Sequence, residues 1–191
     1  MVKLNKIYTR TGDSGETGLV DGSRILKDHP RAHGIGDVDE LNSAIGLALV
    51  SIEDSDLKTM LGRVQNELFD LGADLATPGA EFAPSEMVLR VVQSQVDRLE
   101  TEIDAMNAQL APLRSFILPG GGEAAARVHL ARTIARRAER SVVTASRNVP
   151  LNPLARIYLN RLSDHLFVLG RLLAKDHGGD SLWQPGATRQ A

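Results

Sequence analysis

The sequence predicts an all-α protein, a bundle of five helices preceded by a glycine-rich arm. Apolar residues recur at three- and four-residue spacing along five successive segments, as on the buried face of a helix. Strand-like patterns are confined to two short segments, NKIYT and SFILP. We therefore expect one domain over 1–178, made of an arm (1–36) and a helix bundle (37–178), and a flexible polar tail over 179–191.

The composition is that of an ordinary globular chain. Of its 191 residues, 42% are apolar and 24% charged, enough for a single buried core. The formal net charge of -2 argues against binding nucleic acid or an anionic membrane through bulk charge. Cysteine is absent, which excludes disulfides and thiol nucleophiles. Neither a secretory signal nor a membrane span is present in the sequence, so we expect a cytoplasmic protein.

Apolar stripes define the first three helices. The first begins near Asp37, the second follows the polar break EDSD and ends at Thr77–Gly79, and the third precedes a loop with two prolines. The stripes comprise Val38, Leu41, Ile45, Leu49 and Ile52; Leu57, Leu61, Val64, Leu68, Leu71 and Leu75; and Val88, Val92, Val96, Leu99, Ile103 and Met106.

The last two helices have clear starting signals. The fourth is expected from Glu123 to about Ser146, directly after the triple glycine 120–122. Asn152 is a good N-cap for the fifth, and Pro153 follows in the first turn, where its missing N–H is harmless. Gly178 and Gly179 end this helix.

The predicted fourth helix carries a basic face within the segment HLARTIARRAER. Arginines at successive i, i+4 positions repel one another by roughly 0.2–0.5 kcal/mol per pair, so carboxylates or a polyanion should compensate them. A solvated basic face is the alternative, whereas the apolar stripe on the other side of the helix favours an organised groove or interface. The polar members of this face are His129, Arg132, Arg136, Glu139 and Arg140.

Two other predicted helices place polar side chains where a helix rarely carries them. Asn160 and Asp164 lie one turn apart in the fifth helix, although both residue types compete for backbone hydrogen bonds. Their side chains either face a functional site or make a buried structural hydrogen bond. Asp39 in the first helix either interacts with the helix dipole or pairs with an arginine of another helix or subunit.

The arm has the composition of a phosphate-binding loop. Its glycines permit positive φ and let backbone N–H groups converge, while threonines and basic residues add hydroxyl groups and charge. An ordinary surface loop is the alternative. The triple glycine before the fourth helix is a second candidate anion site. The glycines of the arm are Gly12, Gly15, Gly18 and Gly22.

Several common sites are absent from the sequence. It contains no P-loop motif, no strand–GxGxxG–helix unit and no HExxH. No histidine has a glutamate three residues before it, so the Glu-x-x-His pairs of di-iron bundles are missing.

Taken together, these segments resemble the PduO-type ATP:cob(I)alamin adenosyltransferases, or corrinoid adenosyltransferases. The matching blocks are IYTRTGDSGETGL, GSRILKD, GDVDELNSAIG, FILPGGG, HLARTIARRAER and YLNRLSDHLFV, in the family's order. The resemblance implies a ferritin-like five-helix bundle that forms a homotrimer, with ATP bound between subunits. The helices predicted from periodicity agree with that fold.

The resemblance also implies the reaction. The 5′-deoxyadenosyl group of ATP passes to the cobalt of a reduced cobalamin or other corrinoid, and triphosphate leaves. Co(I) is the nucleophile, so the protein supplies alignment and charge stabilisation. Mg²⁺ is expected with the triphosphate, held mainly by phosphate oxygens. A corrinoid reductase and an adenosylcobalamin-dependent enzyme are the implied partners, with no role for nucleic acid or membrane.

Site residues follow from the matched motifs. Arg132 is expected to pair with Asp39 across the subunit interface. Phe116 is expected to hold the corrinoid without its lower axial ligand, whereas a core phenylalanine is the alternative. Together with Arg136, these are the implied catalytic residues. The implied ATP-binding residues are Thr9, Arg10, Thr11, Gly12, Thr17, Lys27, Arg136, Arg137, Ala138, Glu139, Arg140 and Asn160.

Two non-catalytic hypotheses remain. One is a bundle that keeps the ATP site and delivers adenosylcobalamin to a partner. The other is a bundle that binds polyanions through the arginine face, and it needs neither Phe116 nor the arm.

Overall fold

A computed structural model describes residues 7–86 and 88–189, and it confirms the five-helix bundle. No helix in this part of the chain is long and apolar enough to cross a membrane. The helices are α1 (Pro30–Leu49), α2 (Ser55–Leu75), α3 (Gln93–Asn107), α4 (Glu123–Ser146) and α5 (Pro153–Ala174), and a hairpin of β1 (Glu16–Gly18) and β2 (Arg24–Leu26) precedes them.

Helix α4 lies at the centre of the packing, between α1 and α5. Its inner face is built from small side chains, because Ala131, Ala135 and Ala138 are all fully buried. Small residues let neighbouring helices approach closely, and larger side chains of α1 and α5 fill the remaining space. The basic face of α4 is thereby directed away from the core.

Helix α1 begins at Pro30, and the predicted start near Asp37 is therefore too late. His29 is the N-cap, and its Nδ1 accepts a hydrogen bond from the Arg31 backbone N–H at 3.1 Å. The first turns contain Gly34 and Gly36, which interrupt the apolar stripe used for the prediction. The arm thus ends at His29, before the predicted boundary at residue 36.

Helix α3 begins at Gln93, after the first two residues of the predicted stripe. Val88 belongs to the preceding loop, and Val92 is the N-cap. The Val92 backbone N–H donates to the Gln95 side chain at 2.9 Å, which fixes the start of the helix.

The last two helices match their predicted starts. Helix α4 spans Glu123–Ser146, as the sequence predicts. In α5 the Asn152 side chain accepts a hydrogen bond from the Leu154 N–H at 3.0 Å. The helix ends at Ala174, and a short 3₁₀ turn leads to Gly178 with φ of 88°.

The strands differ from the predicted ones. The first two residues of the candidate strand NKIYT lie outside the described residues, its last three (7–9) form no strand, and the hairpin pairs Thr17 with Ile25 instead. In SFILP, Ile117 forms an antiparallel bridge with Leu182. The start of the tail, predicted to be flexible, is therefore paired with the loop that precedes α4, because its backbone N–H and C=O groups find partners there.

A buried polar network joins the loop before α3 to the ends of α2 and α5. The Asp74 carboxylate accepts hydrogen bonds from Arg90 at 2.7 Å, from the Val91 N–H at 2.8 Å and from Asn152 at 2.7 Å. Asp74 and Arg90 are both almost completely buried. Arg31 of α1 reaches the same end of the bundle, donating to the carbonyls of Leu75 and Pro150.

We predict that Asp74→Ala lowers the free energy of unfolding by about 3–5 kcal/mol, because it leaves the buried Arg90 without its counter-charge. Urea denaturation followed by circular dichroism measures the change. Asp104→Ala, which removes an exposed carboxylate on α3, should change stability by less than about 0.5 kcal/mol. Similar losses in the two variants would contradict a stabilising role for this network.

Candidate functional site

Three arginines of α4 form a cationic strip, here called the arginine ridge: Arg132, Arg136 and Arg140. Arg136 and Arg140 are exposed, and Arg132 is half-buried. A surface cavity of about 420 Å³ opens beside the second half of the ridge. Its lining residues are Arg136, Glu139, Arg140, Val143, Thr144 and Arg147.

The ridge carries positive charge without a matching carboxylate. Within the described part of the chain, no ion pair involves any of its three guanidinium groups. Arg140 donates only to a backbone carbonyl, that of Arg136, at 2.9 Å. Glu139 lies beside the ridge, but its carboxylate accepts a hydrogen bond from Asn160 of α5 at 3.1 Å. The motif residues Glu139 and Asn160 are therefore brought together, and the ridge is open to an anion.

Arg132 lies in an apolar setting at the inner end of the ridge. Its guanidinium carbon is 5.9 Å from the centre of the Phe167 ring, and its buried Nε has no hydrogen-bond partner among the described residues. Burial lowers the pKa of Arg132, and the charge of Arg136 lowers it further. A carboxylate from outside the chain would relieve both effects.

Asp39, the predicted partner of Arg132, is exposed on α1 and does not meet Arg132 within one chain. It lies on the other side of α1 from Asp37, about 200° around the helix. Asp37 faces α4, so Asp39 points away from its own α4. The predicted pair requires a second chain.

Two predicted ATP-binding residues of α4 are placed differently from Arg136 and Arg140. The Ala138 side chain is fully buried in the core, so it cannot contact a ligand at the surface. Arg137 turns toward α1, where it pairs with Glu40 and lies 3.4 Å from Asp37. The matched motif alone does not distinguish these orientations.

The arm brings its predicted residues together around the β1–β2 hairpin. The hydroxyl groups of Thr9 and Thr11 are hydrogen-bonded at 2.8 Å, and Arg24 donates to the Thr11 carbonyl at 2.7 Å. A Cβ on Gly12 would lie only 3.2 Å from the Lys27 ammonium, so glycine leaves room for this cation against the backbone.

Arg10, beside these residues, has φ of 62°, in the left-handed region that non-glycine residues seldom occupy. Strain of this kind is concentrated at functional sites.

Within one chain, no described polar contact joins residues 9–29 of the arm to the ridge. The arm is attached to the end of α2, where the Val20 N–H donates to the Ala76 carbonyl at 3.0 Å. No hydrogen bond or ion pair described for residues 9–29 reaches α4.

Phe116 lies in the loop before α4, at the opposite end of the bundle from the arm. Its side chain is 78% exposed, so the alternative of a core phenylalanine is wrong. The Phe116 carbonyl accepts a hydrogen bond from the Trp183 N–H at 2.7 Å, and the centres of the two rings are 6.1 Å apart. The sequence did not predict this partner, because it comes from the tail.

The tail is anchored on both sides of this contact. The Leu118 N–H donates to the Ser181 carbonyl at 2.8 Å, and Asp180 pairs with the buried Arg171 at 2.9 Å. These contacts leave the ring of Phe116 at the surface while fixing its backbone. An exposed aromatic ring on a fixed backbone is suited to covering an apolar ligand.

Among the described residues, no group of three or more histidine or acidic side chains is arranged to hold a metal ion. His129 is buried next to the ridge, and its ring packs against the backbone of Gly170, where a Cβ would come within 2.7 Å of it. Burial lowers the pKa of His129, and the positive charge of Arg132 adds to the effect. We therefore expect a neutral imidazole at pH 7.

A pH dependence of stability follows from His129. Because its pKa is lower in the folded than in the unfolded state, the unfolded state takes up the proton first as the pH falls. The folded state is therefore destabilised as the pH falls below about 6.5. Between about pH 7.5 and 5.5, His129→Gln should lose less unfolding free energy than the wild type in urea titrations. His33→Gln, which removes an exposed histidine of α1, is the matched control. An unchanged pH dependence in His129→Gln would contradict the assignment.

Known proteins resemble this chain over its full length. A sequence model described as cobalamin adenosyltransferase matches residues 7–173. A corrinoid adenosyltransferase of Mycobacterium tuberculosis is 50% identical over 193 aligned residues, covering 100% of this chain and 98% of that protein. The corrinoid adenosyltransferase PduO of Citrobacter freundii is 43% identical, over 90% of this chain and 50% of its own length.

Solved structures agree with these relatives. A variant PduO-type ATP:corrinoid adenosyltransferase from Lactobacillus reuteri, complexed with cobalamin and ATP, superposes with a TM-score of 0.87 at 37% identity. The match covers 94% of this chain and 97% of that one. The chain belongs to the cobalamin adenosyltransferase family.

Proposed function

We propose that this protein is an enzyme that transfers the 5′-deoxyadenosyl group of ATP to the cobalt of a reduced corrinoid. The observation that carries the proposal is the arginine ridge, which presents positive charge without a described counter-ion in a member of this family. The Lactobacillus reuteri structure, with cobalamin and ATP bound, supports both substrates.

The chemistry explains why the site lacks a protein nucleophile. The electron pair on Co(I) attacks the ribose C5′ of ATP and forms the cobalt–carbon bond. The bond between C5′ and the triphosphate oxygen breaks, and its electrons leave with the triphosphate. The protein has to align C5′ with cobalt and to stabilise the negative charge that develops on the leaving group. Arg136 and Arg140 are exposed, and no described acid pairs with them, so they can provide that stabilisation.

The ATP site is completed by a second protomer. The arm and the ridge of one chain have no described polar contact, yet both are suited to phosphate. A homotrimer in which the arm of one protomer meets the ridge of the next would join them. The outward-facing Asp39 and the unpartnered Arg132 Nε support the same arrangement, since the pair can form only between chains.

Within this arrangement the arm contributes Thr9, Arg10, Thr11, Gly12, Thr17 and Lys27, and the ridge side contributes Arg136, Glu139, Arg140 and Asn160.

Phe116 acts on the corrinoid. Its exposed ring can cover the lower face of the corrinoid, and a phenylalanine offers no atom that ligates cobalt. Keeping that face without a ligand would make reduction of Co(II) to Co(I) easier. The exposure of Phe116 also favours the transferase over a simple polyanion-binding bundle, which has no use for an exposed ring.

The remaining expectations belong to this proposal. Mg²⁺ accompanies the triphosphate and is held mainly by phosphate oxygens. A corrinoid reductase and an adenosylcobalamin-dependent enzyme remain predicted partners, and a cytoplasmic location stays a prediction.

Arg136→Ala should lower turnover by at least about 100-fold, because it removes a cation that stabilises the departing triphosphate. The assay mixes the protein with ATP, Mg²⁺ and chemically reduced cob(I)alamin and follows the spectrum of adenosylcobalamin. Helix content by circular dichroism should be unchanged. Lys58→Ala, which removes an exposed cation of α2, should retain wild-type turnover. Near-normal turnover by Arg136→Ala would contradict the site.

Phe116→Ala should lower the rate of adenosylation by different amounts with Co(II) and with Co(I) corrinoid. With Co(II) corrinoid and a reducing system the rate should fall steeply, because the lower ligand is no longer excluded. With preformed Co(I), which needs no reduction on the enzyme, the loss should be smaller. Phe69→Ala, which removes a ring that is 70% exposed on α2, is the matched control and should change neither rate. Equal losses of Phe116→Ala with both substrates would indicate damage to packing instead.

A further inference from the structure

We infer that Arg137 is a positioning residue that neutralises two carboxylates of α1 beside the arginine ridge, and not a ligand of ATP. This inference rests on the proposed function, because it concerns how the ATP site stays available to phosphate. It differs from the role that the motif ARRAER implies, in which both adjacent arginines bind the nucleotide.

The described contacts of Arg137 are with acidic side chains of α1. Its guanidinium donates to the Glu40 carboxylate, and its Nε lies 3.4 Å from an oxygen of Asp37. The other oxygen of Asp37 accepts a hydrogen bond from Ser141 at 2.5 Å. Arg137 and Ser141 of α4 therefore face Asp37 and Glu40 of α1 in a four-residue cluster, here called the α1–α4 clamp.

The geometry of the helix places Arg137 at the edge of the ridge, about 100° from Arg136 and about 60° from Arg140 around the axis. Adjacent residues of an α-helix point about 100° apart, so Arg136 projects outward when Arg137 projects toward α1. Ser141 is one turn beyond Arg137 on the same face, which makes the clamp a two-point contact. A rotation of α4 that turned Arg137 away from α1 would break both points.

The charges of the clamp also favour the intrachain role. The hydrogen bond to Glu40, followed by the charges of Glu40 and Asp37, raises the pKa of Arg137, so its guanidinium is stabilised where it is. The ridge arginines lack such partners among the described residues. An entering triphosphate would meet an already compensated Arg137 and uncompensated Arg136 and Arg140.

The clamp keeps the acidic side chains of α1 from pairing with the ridge arginines. If Arg137 lost its charge, Asp37 and Glu40 would be left without their cation close to α4. Glu40 is exposed and its side chain is long enough to reorient, so it would be attracted to a neighbouring arginine. The freed carboxylates would then compete with the triphosphate for the ridge.

The test compares neutral substitutions that preserve side-chain shape. Arg137→Gln alone should weaken ATP binding by about tenfold, as expected when uncompensated charges are left in a network. Removing the carboxylates as well, in Asp37→Asn/Glu40→Gln/Arg137→Gln, should restore the dissociation constant of ATP to within about threefold of the wild type. Calorimetric titration of the full chain with ATP and Mg²⁺ measures binding without corrinoid, and turnover at saturating ATP is measured separately.

Asp37→Asn/Glu40→Gln, with Arg137 intact, is the background control and should bind ATP like the wild type. Arg136→Gln is the contrasting variant, because a residue that touches phosphate is not rescued when carboxylates elsewhere are removed. Circular dichroism and urea denaturation establish that each variant is folded.

The outcomes separate the inference from the proposed function. If the triple variant binds ATP as weakly as Arg137→Gln while Arg136→Gln also fails, Arg137 is itself a ligand and the inference is overturned. Wild-type affinity in Arg137→Gln overturns it too, since the clamp would then have no effect on the site. If the wild type forms no adenosylcobalamin and Arg136→Gln binds ATP normally, the proposed function itself fails.

Discussion

The mutual repulsion of the ridge arginines is the constraint around which this protein is organised. Three guanidinium groups lie on successive turns of α4, and the fold neutralises none of them with a described carboxylate, although it neutralises Arg137 on the adjacent face. Alanines on the inner side of α4 let α1 and α5 pack closely, which holds the ridge in place. The resulting charge is suited to a polyanion such as triphosphate. Charge on α4 is therefore partitioned, because Arg137 is paired with acids of α1 whereas the ridge arginines have no described acidic partner.

The two ends of the bundle divide the remaining tasks. The arm is attached where α2 ends, whereas Phe116 and the tail lie where α4 begins. Helix α4 has 24 residues, so these ends are separated by about 36 Å along its axis. A nucleotide is much shorter than this distance. An active site that needs both the arm and Phe116 is therefore most simply built from different protomers, and the outward-facing Asp39 is consistent with that arrangement.

The sequence predicts the helices wherever the signals are local. The bounds of α4 follow from its stripe and the glycines before it, and the start of α5 follows from Asn152 and Pro153. The predicted start of α1 was wrong because Gly34 and Gly36 interrupt the apolar stripe of this helix. The three-residue strands β1 and β2 carry too few apolar side chains to show a pattern. In the site, residue types were recognised but their partners were not. Glu40 is 97 positions from Arg137, and Trp183 contacts a loop far away in sequence, so only the folded chain reveals these contacts.

The proposal that the arm and the ridge of different protomers form one site can be tested by mixing two defective chains. Lys27→Ala disables the arm and Arg136→Ala disables the ridge, so each should be inactive alone. Co-expression with two different tags and purification through both yields only mixed assemblies. In a cyclic trimer, one site of every mixed assembly combines an intact arm with an intact ridge, which predicts about one third of wild-type turnover per trimer. Mixed trimers that are as inactive as either parent would contradict the account, because the arm and the ridge would then have to come from the same chain.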